Sequence, residues 1–130
     1  MYIRKHLCEL YIGLHIISAV LTGPHNTAVA VGSAATFTCT TDDSEPCFRW
    51  NYKAAHVEEY KRLYESSGLA PDCKCNVTYS DNKRTSSLTI NDVQLTDVGL
   101  YKCAECWTTN SSEAGLSIVG KKQIVRRRIT

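Results

Sequence analysis

Cysteine is the residue with the most chemistry to offer in this chain. Seven occur among 130 residues: Cys8, then Cys39, Cys47, Cys73, Cys75, Cys103 and Cys106. Three chemistries suit such a set. Cys73-x-Cys75 and Cys103-x-x-Cys106 together have the spacing of a four-thiolate zinc site. Cys103-Ala104-Glu105-Cys106 is also the form of a redox dithiol, but that role needs a helix N-terminus in a βαβ setting to lower the thiol pKa. The third chemistry is a framework of disulfides, the expected use of an even number of cysteines in a small secreted domain. Other catalytic groupings are missing. His25 and His56 have no motif around them, Ser66-Ser67 and Ser86-Ser87 read as turn or strand serines, and no phosphate-binding glycine loop or helical metal motif occurs. The chain therefore reads as a non-enzyme, with no cofactor expected.

The first residues favour the oxidising compartment. Arg4 and Lys5 precede a mostly apolar run from Leu10 to Leu21, the pattern of a secretory leader. Glu9 and His15 interrupt it, and no small-x-small cleavage site is evident, so cleavage is expected after Thr22 or Gly23. The run is shorter than the roughly 20 residues a membrane span needs. The expected division is a leader at 1–22, a domain at 23–120 and a tail at 121–130. Removing the leader takes Cys8 and leaves an even six. Asn76-Val77-Thr78 and Asn110-Ser111-Ser112 are glycosylation sequons, which agree with secretion or an extracellular location. Between Gly23 and Val119 stand eight Lys and Arg against twelve Asp and Glu, a net charge of −4. The tail adds Lys121, Lys122, Arg126, Arg127 and Arg128 with no acid. An acidic domain excludes nucleic acid as a partner, and only the tail offers a contact for glycosaminoglycan or another acidic surface.

The elements that must position these cysteines read as short strands. Thr36-Phe37-Thr38-Cys39 alternates inside a strand over 35–41, and Cys47 to Tyr52 forms another around Trp50. Further strands are predicted within 29–32 and 61–68, each with its turn, and at 75–79, 85–90, 99–106 and 114–119, with polar connections at 41–46 and 107–113. Within the stretch 53–60, residues 54–60 have helix-favouring composition and read either as a helical turn or as a long loop. Leu88 and Ile90 share one face of their strand, and a turn follows at Leu95-Thr96-Asp97. Tyr101 and Cys103, two apart, share a face of the next strand.

The order Cys39…Trp50…Asp97-x-Gly99-x-Tyr101-x-Cys103 resembles the immunoglobulin superfamily, over roughly residues 24–120. The resemblance implies an all-β fold, a two-sheet antiparallel immunoglobulin-like sandwich of the variable-like or intermediate set. It implies an inter-sheet Cys39–Cys103 bridge packed on Trp50, a core including Leu88, and a buried Tyr101 bonded back to the turn at Asp97. The zinc reading would consume Cys103 and strand Cys39. The strand at 114–119 lacks the Gly-x-Gly bulge of antigen-receptor variable domains, so receptor-style pairing is not expected. Cys47 and Cys106 fall near one end of neighbouring antiparallel strands, and their pairing leaves Cys73 with Cys75; the alternatives link Cys47 and Cys106 to that pair. The resemblance further implies extracellular recognition or adhesion of receptor or immune type. A protein ligand or another immunoglobulin-like domain would be the partner, contacted through the loops at 41–46, near Ser66–Gly68 and at 107–113. Trp107, Thr108 and Thr109 are the candidate contacts. A structural module of a larger or truncated multidomain protein is the other reading, and a small zinc or redox protein the third.

Overall fold

A computed structural model describes residues 20–120. The expected leader residues up to Ala19 and the basic tail, with Lys121, Lys122, Arg126, Arg127 and Arg128, lie outside them. The described chain is a sandwich of two β-sheets. Its strands in order are β1 (Leu21–Thr22), β2 (Thr27–Val29), β3 (Ala35–Thr41), β4 (Phe48–Ala54), β5 (Lys61–Glu65), β6 (Gly68–Leu69), β7 (Cys75–Tyr79), β8 (Thr85–Ile90), β9 (Gly99–Glu105) and β10 (Ser111–Ile118), with a single 3-10 turn at Leu95–Asp97. One sheet runs β1-β3-β8-β7 and the other β2-β10-β9-β4-β5-β6. Every pairing is antiparallel except β2 with β10.

Period-two alternation places the core. Ala35, Phe37 and Cys39 on β3, Ser86, Leu88 and Ile90 on β8, and Tyr101 and Cys103 on β9 all turn inward. The outward positions of β3 and β8 are hydroxyls that pair across the strands: Thr36 with Thr89 at 2.9 Å, Thr38 with Ser87 at 3.0 Å and Thr40 with Thr85 at 3.2 Å. That ladder is polar, β-favouring and self-satisfied, so the outer face of the four-stranded sheet can stay in water.

Cys39 and Cys103 join the sheets. A bridge over a separation of 64 removes chain entropy from the unfolded state worth about 4 kcal/mol. Trp50 is fully buried, and its indole N–H donates to Ser86 Oγ at 2.9 Å. The inward Ser86 therefore answers the only polar atom that tryptophan brings into the core. Tyr101 stacks on Phe37 with centroids 4.9 Å apart, and its hydroxyl donates to Asp97 O at 2.7 Å. Asp97 in turn accepts from Gln94 N and from Lys74 Nζ, both at 2.8 Å. Burial pushes the Tyr101 phenol above its ordinary range, with Tyr52 and Asp97 adding to the effect. Gly99 admits no side chain: a Cβ there would stand 2.3 Å from Lys53 O on the neighbouring strand.

Several local features differ from the sequence reading or were not visible in it; the strand expected from Val29 lies earlier, at Thr27–Val29, and the chain turns after it. Residues 54–60 are not helical. Ala54 still pairs with Gly99, and the chain then turns through His56 at positive φ, with Val57 N on Ala54 O, so the loop alternative holds. A register shift between Trp50 and Asn51 in the β4–β5 pairing lets the consecutive Leu63 and Tyr64 both pack on the core. Strand β10 begins at Ser111, not Ala114, and β9 ends at Glu105; the connecting loop is correspondingly shorter.

Tyr101→Phe should lower the unfolding free energy by about 1 kcal/mol with an unchanged urea m-value. Equilibrium denaturation checks this, and an unchanged midpoint would show that the hydroxyl does not anchor the turn.

Candidate recognition surface

Strands β4 and β9 run antiparallel from Phe48 opposite Glu105 to Ala54 opposite Gly99. Just beyond the Phe48 end, Cys47 and Cys106 are bonded, and Cys106 N donates to Cys47 O at 3.0 Å. Because Cys39–Cys103 already holds these strands, this second bridge closes a circuit of only about a dozen residues, worth roughly 3 kcal/mol in the chain-entropy account. Its larger effect is local, since it fixes where the 106–110 turn leaves the sheet. The remaining pair, Cys73 with Cys75, spans a separation of 2 and so constrains the unfolded chain little. It borders a cavity of about 210 Å³ lined also by Tyr52, Leu63, Ile90 and Tyr101 and rimmed by the Lys61–Asp72 and Lys74–Asp97 ion pairs.

The end of the sandwich next to Cys47 and Cys106 is organised by a carboxyl group that the sequence reading did not single out. Glu105 is 3% exposed. Its carboxyl oxygens accept from Thr41 Oγ1 at 2.8 Å, Thr108 Oγ1 at 3.1 Å and Asn110 Nδ2 at 3.3 Å. Thr41 Oγ1 also accepts from Asp43 N, and Arg49 Nη2 donates to Glu105 O. One buried side chain thus ties the start of the 41–47 loop to the 106–110 turn. Period two from Tyr101 and Cys103 puts Glu105 on the inward face of β9, a sequence signal that its charged side chain masked.

On this frame Trp107 is 75% exposed. Thr109 is exposed beside it, whereas the Thr108 hydroxyl is occupied by Glu105. Of the three candidate contacts, Trp107 and Thr109 therefore face outward with their functional groups open. Trp50, Leu88 and Tyr101 lie in the core, and Asp97 lies at the turn. Asn76 is exposed on the outer face of β7. Asn110 is half-buried, with its amide nitrogen on Glu105.

The outer face of the six-stranded sheet is polar. Tyr60, just before β5, reaches across to donate to Glu113 on β10, and Lys102 Nζ lies 3.9 Å from the Tyr60 ring centroid. Burial and the Glu113 bond push the Tyr60 phenol up to about 12. The β9–β10 register is regular from Ser111 opposite Ala104 to Leu116 opposite Gly99.

Among the described residues no group of three His, Cys, Asp or Glu is placed to hold a metal ion, and the six cysteines of the domain are in disulfides. Among the described residues no thiol is therefore left for the zinc or dithiol alternatives. No helix among the described residues is long and apolar enough to cross a membrane. The arrangement instead displays an exposed aromatic on a braced turn at one end of a sandwich.

Replacing Glu105 with Ala should leave Thr41, Thr108 and Asn110 short of an acceptor and cost about 1–3 kcal/mol. Hydrogen exchange should accelerate at residues 41–43 and 106–110 and little elsewhere; unchanged exchange there would show that the loops are held without this carboxyl group. The family model of the immunoglobulin I-set domain matches residues 18–118 of the chain.

Proposed function

The chain belongs to the immunoglobulin I-set family, and on that footing we propose that it is an extracellular recognition or adhesion module. Domains of this family are typically non-catalytic and often bind protein partners or other immunoglobulin domains. The finer reading is that a secretory leader delivers the domain to the cell exterior. There its disulfide-stapled end presents Trp107 to a protein ligand. The observation that carries it is the exposure of Trp107 on a turn fixed by Cys47–Cys106 and by the Glu105 hydrogen bonds. A tryptophan on a braced turn has large apolar area to bury and few side-chain torsions to fix on binding, which suits it to a binding hot spot. The polar outer face of the six-stranded sheet, crossed by Tyr60, suits a transient contact with a similar domain better than an obligate one. The basic tail, with Lys121, Lys122, Arg126, Arg127 and Arg128, would add an acidic-surface contact such as glycosaminoglycan. A module of a larger protein would use the same end to meet its ligand.

The two sequons differ in what a glycan would meet. Asn76 stands on the open face of the four-stranded sheet. At Asn110 the sugar would be attached to the nitrogen now directed at the buried Glu105, beside Trp107. We place the main glycan on Asn76, which leaves the Trp107 end uncovered. Enzymatic deglycosylation of chain secreted from animal cells should shift the mass by one glycan, the shift should vanish in Asn76→Gln, and it should persist in Asn110→Gln. Loss of the shift in Asn110→Gln alone would reverse the assignment.

For binding, the domain displayed as a multivalent probe against a panel of extracellular domains, including its own, identifies a ligand. Trp107→Ala should then weaken that ligand by tenfold or more, while its melting temperature stays within about 1 °C of wild type, as for a surface substitution. Undiminished binding by the variant would move the site elsewhere.

A further inference from the structure

The strand β1 lies inside the stretch that the apolar pattern assigns to the leader, and the domain uses it. Leu21 and Thr22 pair with Thr41 and Thr40, and Leu21 packs against the core. The strand runs beside Thr41, whose hydroxyl holds Glu105. Gly23 is equally committed: a Cβ on it would stand 2.4 Å from Thr38 O. Pro24 is buried. Cleavage after Thr22 would strip the strand and start the chain at Gly23, against the β3 backbone. Cleavage after Gly23 would put an amino terminus on buried Pro24. An uncompensated ammonium in either place is unfavourable.

Val20 offers the opposite surroundings. It is exposed, and its backbone nitrogen lies 2.8 Å from Asp42 Oδ1 in the 41–47 loop. The residue before it is Ala19, preceded by Ser18; Ala19 provides the small side chain that leader cleavage requires at its last position. Resting on the proposal of an extracellular domain, we infer that the leader is removed between Ala19 and Val20, and that the amino group so released forms an ion pair with Asp42. In the hydrolysis water gives its hydroxyl to the Ala19 carbonyl carbon and its hydrogen to the Val20 nitrogen. That nitrogen then takes a second proton from solvent and becomes an ammonium facing the Asp42 carboxylate. The mature terminus would thereby be fastened to one of the loops of the recognition end, with β1 retained. The full-length chain has only an amide N–H at this point, so processing converts a neutral donor into a charged one.

The first residue of the chain secreted from animal cells, read by N-terminal sequencing and intact mass, tests the cleavage position. Val20 is expected. A secreted chain that begins at Gly23, at Pro24 or upstream of Val20 overturns the inference while leaving the extracellular reading in place. A chain retained in the cell with Met1 overturns both. For the ion pair, Asp42→Asn is compared in two secreted full chains, one starting at Val20 and one that keeps Ser18 and Ala19 behind a substituted leader. The melting temperature should fall by about 3 °C in the first and by less than half as much in the second. Equal falls in both would show that Asp42 acts without the amino group.

Discussion

The covalent link between the two sheets, packed against a fully buried indole, is the constraint on which the rest depends. A sandwich of this size has one thin core, and small cores alone are marginal. Cys39–Cys103 with Trp50 fixes the distance between β3 and β9 at the centre. Once that distance is set, Ser86 meets the indole N–H, and Phe37 and Tyr101 stack between the sheets. Ser86 accepts from the indole N–H, and Asp97 O accepts from the Tyr101 hydroxyl. The polar atoms that Trp50 and Tyr101 bring into the centre are therefore both answered, and the loops can be built outward from it.

The same logic is repeated at smaller scale toward one end. The Cys47–Cys106 bridge and the Glu105 carboxyl group fasten the two loops that leave β3 and β9. The opposite end is fastened differently, by Tyr101 on Asp97 O and by Lys74 on the Asp97 carboxylate. One end thus has its polar groups drawn inward around an acid, with a tryptophan left outside. The proposed recognition role fits that combination: the loops are held by their own internal bonds, so the turn that carries the exposed aromatic is already in place.

Much of the fold was legible because its strands alternate cleanly. The spans of β3, β7 and β8 follow directly from apolar residues two apart. The turn at Leu95–Asp97 followed from its place between two such runs. What escaped reading did so for physical reasons. Leu21 and Thr22 continue an apolar stretch, and nothing in composition separates the last leader residue from the first residue of a strand. The shift between Trp50 and Asn51 leaves no mark in sequence, because Leu63 and Tyr64 are both apolar and either could face the core. Glu105 was opaque because a buried carboxyl group is affordable only through partners as distant in sequence as Thr41. Helix-favouring Ala54 was overruled by strand pairing with Gly99, and the chain after it turns through His56 at positive φ.

The account stands or falls on which cysteines hold the recognition end. Disulfide mapping of the unreduced secreted protein tests this most directly. Glu45 separates Cys39 from Cys47, Glu105 separates Cys103 from Cys106, and Lys74 separates Cys73 from Cys75, so combined acid-directed and lysine-directed digestion of the denatured, alkylated protein resolves every pairing. The expected linked peptides join Cys39 to Cys103 and Cys47 to Cys106. Cys47 or Cys106 found linked to Cys73 or Cys75, or found alkylated as a free thiol, would contradict it.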